Sequence, residues 1–341
     1  MQIQVITNQD QWQNFVEGLN LNTFLHSKYW AIFNQDSNKV FQLGLFNDTQ
    51  ELISVALVIK IVAKRGTFLL VPHGPQYNQQ DSKGTEIMLA WTNYLKTLAK
   101  DENCSFVRIQ PILEKNQNSQ NLFNQIGFRP APIHMHTELS TVLDITASDD
   151  DILLNMRKTT RQMVKKALKM VQNNELKIDF PTEINPEMHQ VYKDTYLRGG
   201  AVAYSSDYID KEWQVFSSEN KAKLIAISFE GKIISWGLVI IFGKRAFYHQ
   251  GGNILHKNIP NSYLLQWQGI LFAKENNCIT YDFWGVSPID KPTHPWANIS
   301  MFKRGFGGKD VELLHAQDYI ISIKYWPNWL LEKFRAFKRG F

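Results

Sequence analysis

The chain has 341 residues, 44% hydrophobic and 13% aromatic, and its 37 lysines and arginines against 32 aspartates and glutamates give a formal net charge of +5. That length exceeds the usual span of a single hydrophobic core, so two domains are expected, and the mild positive excess permits a polyanionic partner or an anionic membrane surface without demanding either. Only Cys104 and Cys278 occur, far apart and with no His or Cys nearby at metal-ligand spacing, which argues against a disulfide framework or a zinc site and for a reducing compartment.

The amino terminus, MQIQVITNQDQWQNF, has no basic segment leading into an apolar run, and no window reaches the roughly 18 to 20 apolar residues of a membrane span, so a soluble, cytoplasmic protein is expected. VFQLGLFND and ELISVALVIKIVA, joined by a polar turn, predict a hairpin, and GTFLLVPHGPQY a third strand. DSKGTEIMLAWTNYLKTLAKDENC places Ile87, Leu89, Trp91, Tyr94, Leu95 and Leu98 at helical spacing behind a Ser or Asp cap. SFVRIQPIL follows as a strand, NQNSQNLFNQIGFRPAP as a helix closed by Gly127, and TELSTVLDIT as a strand.

From Asp149 the composition changes. DDDILLNMRKTTRQMVKKALKMVQNN predicts one helix whose three leading acids suit the positive end of its dipole. Helices INPEMHQVYKDTYLRGG and SSDYIDKEWQVFSS follow, then strands AKLIAISFEG, KIISWGLVIIFG and RAFYHQGGN, helix SYLLQWQGILFAKENN and strand CITYDFWGV. The order strand, strand, strand, helix, strand thus occurs in both halves, as in a duplicated domain. VELLHAQDYIISI reads as a further strand, and KYWPNWLLEKFRAFKRGF as a terminal helix whose mixture of aromatics and cations suits either docking on the first domain or an anionic lipid surface.

No serine nucleophile elbow, paired Cys and His signature, Walker loop or dinucleotide fingerprint is present, and the nine histidines are scattered singly, so neither cofactor nor metal is expected. What remains is acyl transfer by positioning, in which donors meet the charge that develops on a carbonyl oxygen. Lys303 fits that role if it points into a cleft, with Phe302 packed beside it and glycines behind it for a sharp turn; a loop lysine beside a buried phenylalanine is the bland alternative. On the basic helix, Lys158, Arg161, Lys165 and Lys169 share one side, which is either a solvated face or a phosphate-tracking stripe.

LLNMRKTTRQMVKKALK, FYHQGGN, NSYLLQWQGILFAKENN, ITYDFWGV and HPWANISMFKRGFGG, in this order, resemble the FemABX family of nonribosomal peptidyltransferases, and FLHSKYWA and VPHGPQY resemble its amino-terminal segments. The resemblance implies an α+β (α/β) chain of two tandem GNAT-like domains with mixed sheets flanked by helices, one formed by 1–148 with a return at 315–341, the other by 149–314. The 21 residues of MVQNNELKIDFPTEINPEMHQ leave no room for the coiled-coil arm of some members, so the chain resembles the compact, FemX-like branch. The implied activity is transfer of Gly, Ala or Ser from aminoacyl-tRNA to the stem peptide of a peptidoglycan precursor, lipid-linked or UDP-linked, by a monomer that uses no cofactor.

Lys303 and Phe302 match the family's catalytic Phe-Lys pair, and Tyr208 and Tyr248 match aromatic positions that line the precursor cleft. Lys28, Tyr204 and Gln250 join them as substrate-binding candidates, and Lys158, Arg161 and Lys165 become the tRNA candidates. Two basic positions of members that accept a UDP-linked precursor fall at Asn34 and Tyr204, and an aspartate once considered as a base falls at Gln110, which cannot accept a proton at neutral pH. These departures favour a lipid-linked precursor, with 324–341 touching the inner face of the membrane. Two readings stay open beside this one: a GNAT-type N-acyltransferase using acyl-CoA, for which no pyrophosphate loop is found, and a non-catalytic envelope-associated binding protein.

Overall fold

A computed structural model of the chain describes residues 1–63, 66–199 and 202–339; Gly200, Gly340 and Phe341, which fall in segments read above, lie outside them. In chain order the elements are β1 (Gln2–Val5), α1 (Gln9–Glu17), a 3-10 turn (Phe24–His26), α2 (Lys28–Gln35), β2 (Lys39–Phe46), β3 (Leu52–Ala63), β4 (Gly66–Val71), β5 (Gln76–Tyr77), α3 (Gly84–Asp101), β6 (Phe106–Ile109), α4 (Gln117–Gln125), β7 (Arg129–Pro130) and β8 (Leu139–Asp144). There follow α5 (Asp149–Asn155), α6 (Lys158–Gln172), β9 (Leu176–Asp179), α7 (Pro186–Arg198), α8 (Ser206–Ser217), β10 (Ala222–Phe229), β11 (Lys232–Phe242), β12 (Arg245–Asn253), α9 (Asn261–Glu275), β13 (Thr280–Gly285), α10 (Ala297–Arg304), β14 (Lys309–Glu312), β15 (Gln317–Ile320) and α11 (Tyr325–Arg339). Contacts divide the chain into two units, Met1–Glu138 with Glu312–Phe341, and Leu139–Val311.

In the first unit the sheet runs β1-β2-β3-β4-β6-β15-β7, with β5 paired to β3. β2, β3 and β4 form an antiparallel meander, and α3 carries the chain across to β6, which lies parallel to β4 from Phe68↔Phe106 to Val71↔Ile109. α3 buries Ile87, Trp91 and Leu95, one turn apart, against this sheet, the stripe its periodicity predicts. Its start differs from expectation: Lys83 is the cap residue and no side chain caps it, because the Asp81 carboxylate accepts the Lys83 N–H instead.

In the second unit the sheet runs β14-β8-β13-β12-β11-β10-β9. β10, β11 and β12 repeat the antiparallel meander, α9 is the crossover, and β13 returns parallel to β12. The order read twice in the sequence is therefore two copies of one motif, each with its own apolar core between sheet and crossover helix.

Three boundaries move. Residues 139–148, assigned above to the first domain, belong to the second unit, because β8 pairs with β13 from Thr280↔Asp144 to Asp282↔Val142. The strand read over 311–323 is two short strands, since the Ala316 N–H turns to the Glu138 carboxylate (2.7 Å) rather than to a neighbouring strand. The basic helix is also two, α5 and α6, broken at Met156 and Arg157, where the Arg157 N–H donates to the Gly305 carbonyl at 2.9 Å.

Candidate active site

In the second unit β12 and β13 run side by side for only three residue pairs, Arg245↔Thr280, Ala246↔Tyr281 and Phe247↔Asp282. Beyond them both strands are distorted. On β12, Val239 faces Tyr248 while Leu238 faces Gln250, so His249 is the extra residue of a bulge. On β13, Asp282 accepts the Trp284 N–H through Oδ1 at 2.8 Å, and Trp284 is held at φ 62, a left-handed conformation that costs a bulky residue roughly 1 kcal/mol or more. The Trp284 ring meets the edge of His249 with centroids 5.4 Å apart, so the two distortions pack on each other.

Gly285, next to Trp284, is where Lys303 arrives. Lys303 lies on α10 and not in a loop, is 8% exposed, and donates from Nζ to the Gly285 carbonyl at 2.7 Å. Burial lowers its pKa from 10.5 to about 8, opposed by the nearby Asp282 carboxylate. Burial pushes Asp282 the other way, up, although Arg245 Nη2 stands 3.5 Å from Oδ2 and Ser140 donates to the same oxygen at 3.2 Å. The site thus holds an amine whose charge is poised near neutral pH.

Phe302, paired with Lys303 as catalytic above, turns its ring into the apolar core, edge-on to Tyr263 (4.9 Å) and Phe306 (5.4 Å). It anchors α10 in that core, beside Lys303. The glycines behind the lysine do more than permit a turn. A Cβ on Gly305 would stand 2.4 Å from Thr160 Oγ1, and Gly307 adopts φ 93 against the Asn155 carbonyl. Both allow the chain to nest in the break between α5 and α6.

A second cluster surrounds Glu212 on α8, which is fully buried. One carboxylate oxygen bonds His249 Nδ1, and the other accepts from Gln250 Nε2 at 3.1 Å, while Gln250 Oε1 accepts from the Tyr192 hydroxyl at 3.0 Å. In a regular strand consecutive residues face opposite sides of the sheet; the bulge is what lets His249 and Gln250 reach one carboxylate. Tyr192 packs on Tyr196 (4.4 Å), and Tyr204 stacks on Tyr208 (4.3 Å, interplanar angle 10°), with Tyr204 half exposed. Burial raises the phenol pKa of both Tyr204 and Tyr208, and the Glu212 charge raises each further, so both remain proton donors. Tyr248 is raised by burial and by Tyr196.

Of the residues chosen from sequence, Tyr204, Tyr208 and Gln250 gather around Glu212, Tyr248 joins through Tyr196, and Lys303 reaches the group through Gly285, Trp284 and His249. Glu212, His249, Tyr192 and Tyr196 were missed. A signal existed for two of them: His249 stands between Tyr248 and Gln250, and Glu212 lies one helical turn after Tyr208.

The other candidates lie on other elements. Lys158 and Lys165 are exposed on α6, but Arg161 donates from Nη1 to the Leu154 carbonyl at 2.6 Å and so also caps the end of α5. Lys28 is in the first unit, on α2, with Nζ 5.3 Å from the Tyr29 ring centroid. Gln110, also in the first unit, is buried with its amide bonded to both backbone groups of His136 (3.0 and 3.1 Å), which is a structural use.

The model of the FemAB family matches this chain over residues 7–231 and 218–333. The Lipid II:glycine glycyltransferase of Staphylococcus epidermidis is 20% identical over 311 residues, covering 71% of this chain and 74% of that protein. Among solved structures, FemX superposes with a TM-score of 0.83 at 16% identity, covering 97% of this chain and 100% of that one. L-PGS from Bacillus licheniformis gives 0.57 at 11% identity, covering 95% and 96%, and a tandem GNAT protein from the clavulanic acid pathway gives 0.54 at 9%, covering 84% of each. At these identities the structures show the fold, which is mixed α/β and GNAT-like. Because the family model extends over almost the whole sequence, the chain belongs to the FemAB family.

Proposed function

We propose that this chain is an aminoacyltransferase that moves Gly, Ala or Ser from aminoacyl-tRNA to an amine on the stem peptide of a lipid-linked peptidoglycan precursor, building the interpeptide bridge. Family membership and the glycyltransferase relative support the reaction class. The observation that carries the assignment is the buried Lys303 ammonium, bonded to Gly285 beyond the last residues at which β12 and β13 pair. An ammonium offers three donors, and the Gly285 carbonyl takes one. As the acceptor amine attacks the ester carbon, the carbonyl oxygen becomes anionic and receives a hydrogen bond from Lys303 in surroundings of low dielectric. Collapse forms the amide and breaks the ester C–O bond; the ribose hydroxyl leaves with a proton and the amine loses one. Tyr204 and Tyr208 offer stacked faces and hydroxyl donors to the peptide.

The test is transfer of labelled aminoacyl groups from charged tRNA to lipid-linked muropeptide, read by product mass, which also names the amino acid. Lys303→Ala should lower the rate by at least about a hundredfold, the scale for losing one such donor. Undiminished transfer would remove the assignment, and transfer from acyl-CoA alone would replace it with the N-acyltransferase reading.

Lys158, Arg161 and Lys165 are assigned to tRNA phosphates. Replacing all three by Ala should flatten the dependence of tRNA affinity on salt, by about 0.7 to 0.9 in logarithmic slope for each phosphate left without its cation; an unchanged slope would return α6 to a solvated face.

Support for a lipid-borne acceptor comes from α11, whose sidedness is reversed. Toward its own unit it turns Tyr325, Asn328 and Glu332, the last bonded to Arg108 at 2.8 Å. Outward it turns Trp326, Leu330, Phe334 and Phe337, spaced by four, four and three, with Lys333, Arg335 and Lys338 exposed alongside. Docking on the first unit and contact with an anionic membrane use opposite faces of this helix and are compatible. Among the described residues no helix is long and apolar enough to cross a membrane.

A further inference from the structure

We propose that His134, Glu138 and His315 form a divalent transition-metal site, suited to Zn2+, that clasps the two segments through which the chain leaves the first unit and returns to it. This inference is independent of the transfer reaction. His134 and Glu138 are four residues apart and His315 lies 177 residues beyond Glu138, yet one ligand atom from each lies within 4.8 Å of the other two. Glu138 Oε2 is the common centre: His315 Nδ1 stands 2.8 Å from it and His134 Nδ1 3.4 Å. Around a tetrahedral Zn2+ with bonds of about 2.0 to 2.1 Å, ligand atoms are separated by roughly 3.3 Å. The longer distance already fits, and the shorter needs to open by about half an ångström, within the reach of a glutamate rotamer change.

Outer contacts orient these ligands as they do in established metal sites. His315 Nε2 donates to the Ala131 carbonyl at 2.8 Å, which fixes the ring's orientation, while Nδ1 donates to Glu138 a proton whose place a metal ion would take. The other Glu138 oxygen accepts the Ala316 N–H at 2.7 Å, leaving Oε2 for the metal. The imidazole side chains are 37% and 36% exposed and the carboxylate 15%, so a metal can enter and a water can complete a fourth position. Two imidazoles with one carboxylate favour Zn2+, Co2+ or Ni2+ over Mg2+ and Ca2+, which prefer all-oxygen shells.

The position gives the site its purpose. Glu138 is the last residue before the chain enters the second unit, and His315 follows its return at Glu312. The Leu313 N–H already donates to the Glu138 carbonyl at 2.7 Å. A metal bonded across this junction would close a loop that contains the whole second unit, and clips on long loops remove the most chain entropy.

Tag-free, full-length protein, stripped with chelator and dialysed, is titrated with ZnCl2 by calorimetry, with MgCl2 as control, and with CoCl2 for the visible spectrum of tetrahedral coordination. Expected are one Zn2+ per chain, a raised Tm and no response to Mg2+. His134→Ala, which breaks no backbone hydrogen bond, and His315→Ala should each weaken Zn2+ binding at least about tenfold and abolish the Tm shift. Absence of binding up to millimolar Zn2+, or binding of equal affinity in both variants, overturns the proposal and leaves a hydrogen-bonded cluster. Circular dichroism of metal-free His134→Ala, matching the parent, separates loss of a ligand from loss of fold.

Discussion

The ammonium of Lys303 is held 2.7 Å from the carbonyl of Gly285, at the point where Trp284 takes its left-handed turn. Burial leaves this amine with a pKa of about 8, which gives two measurable consequences. As an electrophile it acts only when charged, so kcat for transfer should fall as pH rises through about 8, and Lys303→Arg should carry that limb to higher pH; a rate that instead climbs through pH 8 would make the neutral amine a base. In folding, the unfolded chain keeps its proton up to about 10.4 while the folded chain loses it near 8. For this group the unfolded state binds more protons in the window, so stability relative to Lys303→Met should rise with pH between about 8 and 10. The full shift corresponds to about 3 kcal/mol. Urea unfolding at both ends of the window should show the stability difference between parent and Lys303→Met widening in the parent's favour, while the buried Cys104 and Cys278 thiols, pushed up to about 11, lower both proteins alike. Above about pH 10 the raised phenol pKa values act in the opposite direction.

Glu212 organises His249 and Gln250 at once. Glu212→Ala should raise KM for the muropeptide about tenfold and cost roughly 1 to 3 kcal/mol in stability, the scale for leaving buried polar partners unsatisfied. Glu212→Gln keeps the shape and should restore most of the stability but not the KM. Steady-state kinetics beside chemical denaturation distinguishes the two; full activity in both variants would make the cluster purely structural.

Arg108 is buried beside the stacked rings of Phe68 and Phe106, bonded twice to Asp318 at 2.8 Å and twice to Glu332 at 2.8 and 3.3 Å, while the Tyr325 hydroxyl also donates to Asp318. Removing one member strands a desolvated charge. Asp318→Ala should cost about 3 to 5 kcal/mol, whereas Arg108→Met with Asp318→Leu and Glu332→Leu, which leaves no charge stranded, should recover a large part of that loss. The midpoint and slope of urea unfolding measure both.

For α11, Phe334→Glu with Phe337→Glu should leave Tm unchanged, since both rings are exposed, and reduce sedimentation with anionic vesicles at least about tenfold. Substitution is a cleaner probe than ending the chain at Ile323, because truncation also removes Glu332 from Arg108. Equal sedimentation of variant and parent would assign α11 to docking alone.

Apolar runs between turns were enough to identify both meanders, whose central strands are buried along most of their length, and α3 showed one buried stripe, whereas α9 was legible as a long apolar segment buried on several sides. β1, α1 and α2 carried no such stripe that could be read: α1 buries little beyond Trp12 and Val16 and is set by the Asn8 cap. The break between α5 and α6 could not be read either, since local propensity favours one helix and the deciding bond comes from Gly305. The candidate site was legible where a motif named it, at Lys303, Tyr208 and Tyr248. It was illegible where geometry made it, at the His249 bulge and at the meeting of His134 with His315.

If α11 lies on a membrane as proposed, its outward apolar face changes the search for substrate. A protein adsorbed along that helix would encounter a bilayer-borne acceptor by gliding in a plane, where crowding into a thin layer raises the local concentration of acceptor. The Tyr204 and Tyr208 pair, in its proposed role toward the peptide, could then operate with modest affinity of its own, the membrane supplying the encounters that a deep pocket would otherwise have to secure.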